Sequence, residues 1–205
     1  MSIIDILLHI AAAVLGYVIG SVNAAVIITK YILKSDVRER GSKNAGAANV
    51  TRVFGPVAGG CTLLLDMAKV MLVMWLGGVM AGETGTATAA IACLTGHCFP
   101  IFFGFKGGKG ILCSGTLLLL LDWRIAAVGW GLFALLWLTT RYVSLGSVSG
   151  AVSFPVTTLI FCPGNWTVFV LSLLIAALVI WAHRENISRL LHGTESSFRW
   201  HTDAP

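Results

Sequence analysis

The sequence predicts an all-α polytopic membrane protein with seven transmembrane helices, the N-terminus outside and the C-terminus in the cytoplasm. Three observations predict it. Of the 205 residues, 57% are hydrophobic and only 11% are charged, against about 25% charged in an ordinary soluble domain. Apolar stretches near the roughly 20 residues that cross a bilayer recur along the whole chain. The cationic residues, finally, sort to alternate connections. No length is left for a separate soluble domain, so 1–205 is read as a single integral membrane domain with a short polar cytoplasmic tail from about 192.

The first element, 3–29, has no basic residue ahead of it and is longer than the roughly 7–15 apolar residues of a cleaved signal sequence. It reads as a retained helix. The next elements are 54–80, 86–103, 111–121, 125–140, 143–162 and 166–183. The stretch 111–140 is thin for two crossings, but Asp122, Trp123 and Arg124 in its middle suit a surface turn and would be costly at mid-membrane. With seven crossings, Lys30, Lys34, Arg38, Arg40, Lys43, Arg52, Lys106, Lys109, Arg141, Arg184, Arg189 and Arg199 all fall on one side, twelve of the fourteen basic residues. The positive-inside bias makes that side cytoplasmic. Trp75, Trp123, Trp166 and Trp181 lie near span ends, as interfacial anchors do. The net charge of +5 therefore reflects insertion, and no nucleic acid partner is expected. Five cysteines lie in or beside apolar segments without a CxxC pair and read as small core residues.

Four polar stretches share the cationic side. In GSKNAGAANVTR (41–52), Gly41 and Gly46, with Gly55 beyond, let backbone amides turn toward one point. Ser42, Asn44, Asn49 and Thr51 add neutral hydrogen bonds, and Arg52 adds a fixed charge. The following helix directs the positive end of its dipole at this loop. The stretch is either an anion site or a polar helix-capping turn. GFKGGKG (104–110) also precedes a helix that starts on this side, so its amides with Lys106 and Lys109 suit a phosphate; the alternative is a glycine turn carrying insertion lysines. It is not a nucleotide P-loop, because Phe103 and Gly110 occupy the deciding positions. RYVSLGS (141–147) offers the hydroxyls of Ser144 and Ser147. In HRENISRLLHGTE (183–195), His183 and Asn186 share a helix face, with Arg184 and Arg189 in reach of phosphates or lipid headgroups; a basic membrane anchor is the alternative. Inside the membrane, Asp66 and Lys69 stand three apart and can neutralise each other, tying their helix to the loops. His97 has Cys93 nearby but no carboxylate or second histidine placed to complete a metal set, so no metal is expected.

Together these stretches point to phosphorylated ligands at the cytoplasmic interface, with an apolar body able to take an acyl chain. A transporter of phosphate or phosphate esters is the rival, but it calls for a polar path and repeat symmetry, and no repeat is evident.

GSKNAGAANVTR, GHCFPIFFGFKGGKG, RYVS and HRENISRLLHGTE, in this order and spacing, resemble the acyl-phosphate:glycerol-3-phosphate acyltransferase family of bacterial inner membranes, over about 16–195. The family's first motif is near GSGNxGATNxxR. Here Lys43 stands for its second glycine and Ala48 for its threonine, and Ile-Leu-Cys, ending at Cys113, follows Gly110 where Val-Ala-Thr is usual. The resemblance implies acyl transfer from acyl phosphate to the 1-hydroxyl of glycerol 3-phosphate, giving lysophosphatidic acid and phosphate. That is the first acylation step of bacterial phospholipid synthesis, on the cytoplasmic face of the inner membrane and among its lipids. It implies no cofactor, and an upstream enzyme that forms the acyl phosphate. On this reading Arg52, Lys109 and Asn186 hold the acceptor phosphate. Ser42, the backbone over Asn44, Gly46 and Ala47, Ser144 and His183 cradle the donor phosphate, while Asn49, Gly107 and Gly108 complete the binding set. The proton of the attacking hydroxyl goes to His183 or to a phosphate oxygen. An acyl phosphate already carries a good leaving group, so no enzyme nucleophile is required.

Overall fold

A computed structural model describes residues 2–198, and all regular structure among them is helical. Arg199 and the remainder of the expected tail, 199–205, lie outside the described residues. The elements are α1 (Ile3–Gly20), α2 (Ala24–Val26) running into a π-helical turn (Ile27–Ile32), a 3-10 turn (Val37–Glu39), α3 (Ala47–Phe54), α4 (Pro56–Cys98), α5 (Ile111–Leu121), α6 (Trp123–Thr140), α7 (Val143–Phe161), α8 (Trp166–Ala182) and α9 (Arg184–Leu191).

Helix α4 is a hairpin. Its 43 residues would span about 65 Å if straight, roughly twice a bilayer core. Ala81 and Gly82 leave helical geometry, Gly82 with φ of 62°, and the chain folds back. Lys69 Nζ consequently lies 3.0 Å from His97 Nδ1, 28 residues on. The two arms close on small residues: a Cβ at Gly77 would sit 2.7 Å from that of Ala89. The same second arm receives α1, where a Cβ at Gly20 would meet Cys93 Cα at 2.7 Å.

Each of the seven expected apolar segments is helical, α4 supplying two of them. The expected single helix over 3–29 is corrected to a broken one: α1 stops at Gly20 and α2 restarts at Ala24. The polar groups freed at the break are satisfied from elsewhere. Asn23 accepts from the Val26 amide at 3.0 Å and donates to the Ala45 carbonyl at 3.3 Å. Lys69 Nζ donates to the Val22 carbonyl at 3.1 Å. A second correction concerns the first polar stretch, whose second half is itself helical as α3; Gly55, with φ of 88°, and Pro56, at the first position of α4, separate it from the helix expected over 54–80.

Large apolar side chains face outward, among them Leu64, Trp75, Val79, Leu135, Ile160 and Trp166, as in a protein solvated by lipid. Among the described residues, four stretches are long and apolar enough to cross a membrane: Ile3–Ile32, Pro56–Phe103, Trp123–Thr140 and Val143–Phe161. A fifth joins them if Trp166–Ala182 is counted with Arg184–Leu191 beyond a 60° bend. Asp122, expected at a surface turn, caps α6 and pairs with Arg124 at 2.6 Å. The core runs through Leu94, Leu117, Leu118, Ile125, Phe154 and Ile175. A smaller cluster of Val26, Val37, Ala45 and Val50 underlies the first polar stretch. Of the cysteines, Cys93, Cys98 and Cys113 are buried as expected, whereas Cys61 is exposed.

Candidate active site

The loop ahead of α3 is shaped by one side chain. Asn49 Oδ1 accepts from the Ser42 amide at 2.9 Å, and Asn49 Nδ2 donates to the carbonyls of Val37, Arg40 and Asn44 at 3.2, 3.0 and 3.1 Å. Asn49, expected to bind substrate, is thus fully engaged in holding the loop. Gly41 lies at φ of 55°, and a Cβ there would meet Val53 Cγ2 at 2.7 Å. The loop delivers the chain to Gly46, where α3 begins without a side-chain cap. Gly110 before α5 and Tyr142 before α7 likewise provide no side-chain cap.

These three helix starts border one cavity of about 510 Å³. Ser42, Asn44, Gly46, Ala47, Asn49, Arg52, Lys109, Ser144, His183 and Asn186 all line it. Stretches far apart in sequence therefore converge, and helix N-termini add partial positive charge to the basic side chains. Leu63, Leu112, Trp130 and Phe133 give the same cavity an apolar wall, which the motifs did not foretell.

Gly107 and Gly108 do not line the cavity. Their amides donate to the carbonyls of Cys98 and His97 at 3.2 and 3.1 Å, so the expectation that they offer amides to an anion is corrected. Their role is close passage: a Cβ at Gly107 would meet the Cys98 carbonyl at 2.8 Å, and one at Gly108 the Ala45 carbonyl at 2.9 Å. The expectation about His97 is corrected as well. Asp66 Oδ1 stands 3.7 Å from its Nδ1, and with Cys113 the three offer ligand atoms within 4.8 Å of one another. The cation among them is the Lys69 ammonium, 2.7 Å from Asp66 Oδ1. The expected neutralising pair is formed, and it ties the hairpin to the break after α1.

The polar floor is a continuous network. Lys109 Nζ donates to Asn186 Oδ1, and Asn186 Nδ2 donates to Glu195 Oε1 at 2.6 Å. Ser144 Oγ donates to the same oxygen at 2.6 Å, and Arg189 Nε donates to Glu195 Oε2 at 2.7 Å. Arg52 lies over the Phe198 ring at 5.1 Å. Arg184, by contrast, stacks on Trp181 at 4.1 Å and does not line the cavity. Glu195 is the residue that sequence reasoning missed. Its signal was a carboxylate just past a glycine at the end of a stretch that also carries Arg184 and Arg189.

Burial pulls the Lys109 ammonium down to about 8, with Arg189 adding to the effect and Glu195 opposing it. Burial lowers Arg52 too, against the pull of Glu195, yet a guanidinium stays charged. Glu195 is pushed up by burial, but hydrogen bonds from Ser144, Asn186 and Arg189 outweigh this and leave it lowered. His183 Nδ1 lies 2.8 Å from the Val179 carbonyl, which can only accept, so Nδ1 donates there and the neutral ring keeps Nε2 as an acceptor.

The glycerol-3-phosphate acyltransferase family model matches residues 10–193. The chain belongs to this family. A glycerol-3-phosphate acyltransferase of Thermoanaerobacter pseudethanolicus is 39% identical over 194 residues, covering 95% of this chain and 98% of the relative. One of Rhizobium etli is 40% identical over 198 residues, covering 94% and 93%. A crystal structure of PlsY (YgiH), an integral membrane glycerol 3-phosphate acyltransferase in its glycerol 3-phosphate form, has a TM-score of 0.86 at 32% identity, covering 93% of this chain and 96% of that one. Its lysophosphatidic acid form gives 0.83, covering 95% of that chain. This acyltransferase is accordingly an integral membrane protein of that helical fold. Its departures from the family pattern now have a geometry. Lys43 sits at φ of 59°, a conformation that glycine adopts without strain. Ala48 lines the cavity, so the family's threonine hydroxyl is missing from its wall. Cys113 is buried behind the wall, away from it.

Proposed function

We propose that this chain transfers a fatty acyl group from acyl phosphate to the 1-hydroxyl of glycerol 3-phosphate, releasing lysophosphatidic acid and inorganic phosphate. The setting is the cytoplasmic face of a bacterial inner membrane, with seven crossings, the N-terminus outside and the C-terminus inside. The observation that carries this reading is the pairing, in one cavity, of Arg52, Lys109 and uncapped helix starts with the apolar wall of Leu63, Leu112, Trp130 and Phe133.

The hydroxyl oxygen attacks the acyl carbonyl carbon, the bond from that carbon to the phosphate oxygen breaks, and phosphate departs with the bonding electrons. Two phosphates must be held side by side against their repulsion; Arg52 and Lys109 offset it and set the approach, an effect worth about 7 kcal/mol or more when reactants are well oriented. His183 Nε2, an acceptor with no proton to give, suits the hydroxyl of glycerol 3-phosphate rather than a phosphate. A phosphate oxygen, whose second ionisation lies near about 6, can take the proton while His183 orients the hydroxyl. Transport of phosphate esters is the weaker reading, because the four polar stretches lie on one side of the expected spans and no repeat is evident.

Donor choice tests the proposal. Purified protein given glycerol 3-phosphate should form lysophosphatidic acid from palmitoyl phosphate and none from palmitoyl-CoA. Use of the thioester, or silence with both donors from a folded sample, would overturn it.

A further inference from the structure

Beyond α9 the chain reverses. Gly193, at φ of 67°, turns it, and the Thr194 amide donates to the Arg189 carbonyl at 2.8 Å. The segment then crosses to the start of α7, where the Phe198 amide donates to the Arg141 carbonyl at 2.8 Å. The Phe198 ring packs edge-on against Trp137, with centroids 5.9 Å apart. Between these anchors Glu195 reaches into the cavity and takes hydrogen bonds from Ser144, Asn186 and Arg189.

Ser144 and Asn186 are groups to which the family resemblance gives a phosphate, the donor's and the acceptor's respectively, and the cavity wall around them adds the cations Arg52, Lys109 and Arg189. A carboxylate accepting three short hydrogen bonds there satisfies the same donors that phosphate oxygens would. Both cannot hold them at once. We infer that Glu195 is the resident anion of the phosphate subsite, a carboxylate on a folded-back strap that a substrate phosphate must displace. Without it, Arg52, Lys109 and Arg189 would face one another uncompensated in a partly buried space. With it, the empty site is neutralised, and entry is limited to a ligand that binds those groups better than a single carboxylate. A dianionic phosphate does so; a carboxylate or neutral acceptor does not. Glu195 thereby sets acceptor affinity and charge selectivity, and its return helps to expel the phosphate product. The identity of the displacing ligand rests on the proposed acyl transfer, whereas the displacement itself does not.

Hydrogen exchange on the unmodified full chain in detergent tests the displacement without turnover. Inorganic phosphate, and separately glycerol 3-phosphate, should slow exchange at the start of α3 while speeding it over 193–198. Protection of both segments, or no response at either, overturns the inference. The variant Glu195→Gln keeps an acceptor oxygen but loses the charge. It should lower KM for glycerol 3-phosphate and the inhibition constant of phosphate together by roughly tenfold, with kcat not raised. A rise in KM accompanied by a fall in kcat would mark Glu195 as a strut instead. Should the variant not fold, the exchange experiment decides alone. Failure of acyl transfer with intact phosphate-driven release of the strap would sink the proposed reaction and leave this inference standing.

Discussion

At the scale of single residues, Lys109 makes the sharpest commitments. Its ammonium is held at about 8 by burial, so the charged form predominates below that pH and is lost above it. Above the substrate phosphate's own ionisation near about 6, the profile of kcat/KM should be level to about pH 8 and then fall tenfold per unit, because this parameter reports the free enzyme and free substrate. Lys109→Arg should remove the falling limb; a limb that persists unchanged would assign it to another group. Lys109→Ala and Arg52→Ala should each lower kcat/KM by about 10²-fold or more, with the variants still inserted and monodisperse. Near-normal turnover would refute the assigned role. Lys43 carries a stability prediction. A left-handed conformation costs an L-residue about 1–2 kcal/mol, part of which glycine's freedom in the unfolded chain gives back. Lys43→Gly should therefore raise the thermal midpoint, by up to ~1 kcal/mol of stability, with activity retained. The sequence identified the place, as a departure from the family's glycine, but only φ identifies the cost.

At the scale of elements, the polar stretches are held apart and aimed by groups that a hydropathy reading cannot weigh. Asn49 is 2% exposed and serves four backbone groups. Asn49→Ala should cost about 2–3 kcal/mol and reduce activity together with stability, whereas a pure ligand contact would cost activity alone; thermal unfolding beside the acyl transfer assay separates them. The apolar segments were legible because lipid requires long hydrophobic runs, and the turn at Asp122 because charge is costly at depth. The break after α1 was not, since the groups that stabilise it, Asn23 and Lys69, sit within or opposite apolar runs and act through tertiary contacts. Gly107 and Gly108 were noticed for the right reason, an unusual loop. Their amides were assigned wrongly, because only the fold reveals that the end of α4 supplies the accepting carbonyls.

At the scale of the whole molecule, sorting charges by side of the membrane placed four separate stretches on one face, and the folded chain brings them around one cavity. That much followed from the rule that cationic loops stay in the cytoplasm. What did not follow was Glu195, because its place depends on a 60° bend after α8 and a turn at Gly193, both set by packing at long range. An apolar body able to take an acyl chain was expected, but not which side chains wall it, since Trp130 and Phe133 lie in an apolar run that does not distinguish a cavity face from a lipid face. The central claim, direct transfer between two phosphorylated substrates held side by side, is tested most directly by product stoichiometry. Purified protein, given palmitoyl phosphate and glycerol 3-phosphate without added metal or CoA, should release phosphate and form lysophosphatidic acid in equal amounts from the first turnover. Phosphate release without matching lipid product, or no reaction from a folded sample, would contradict it.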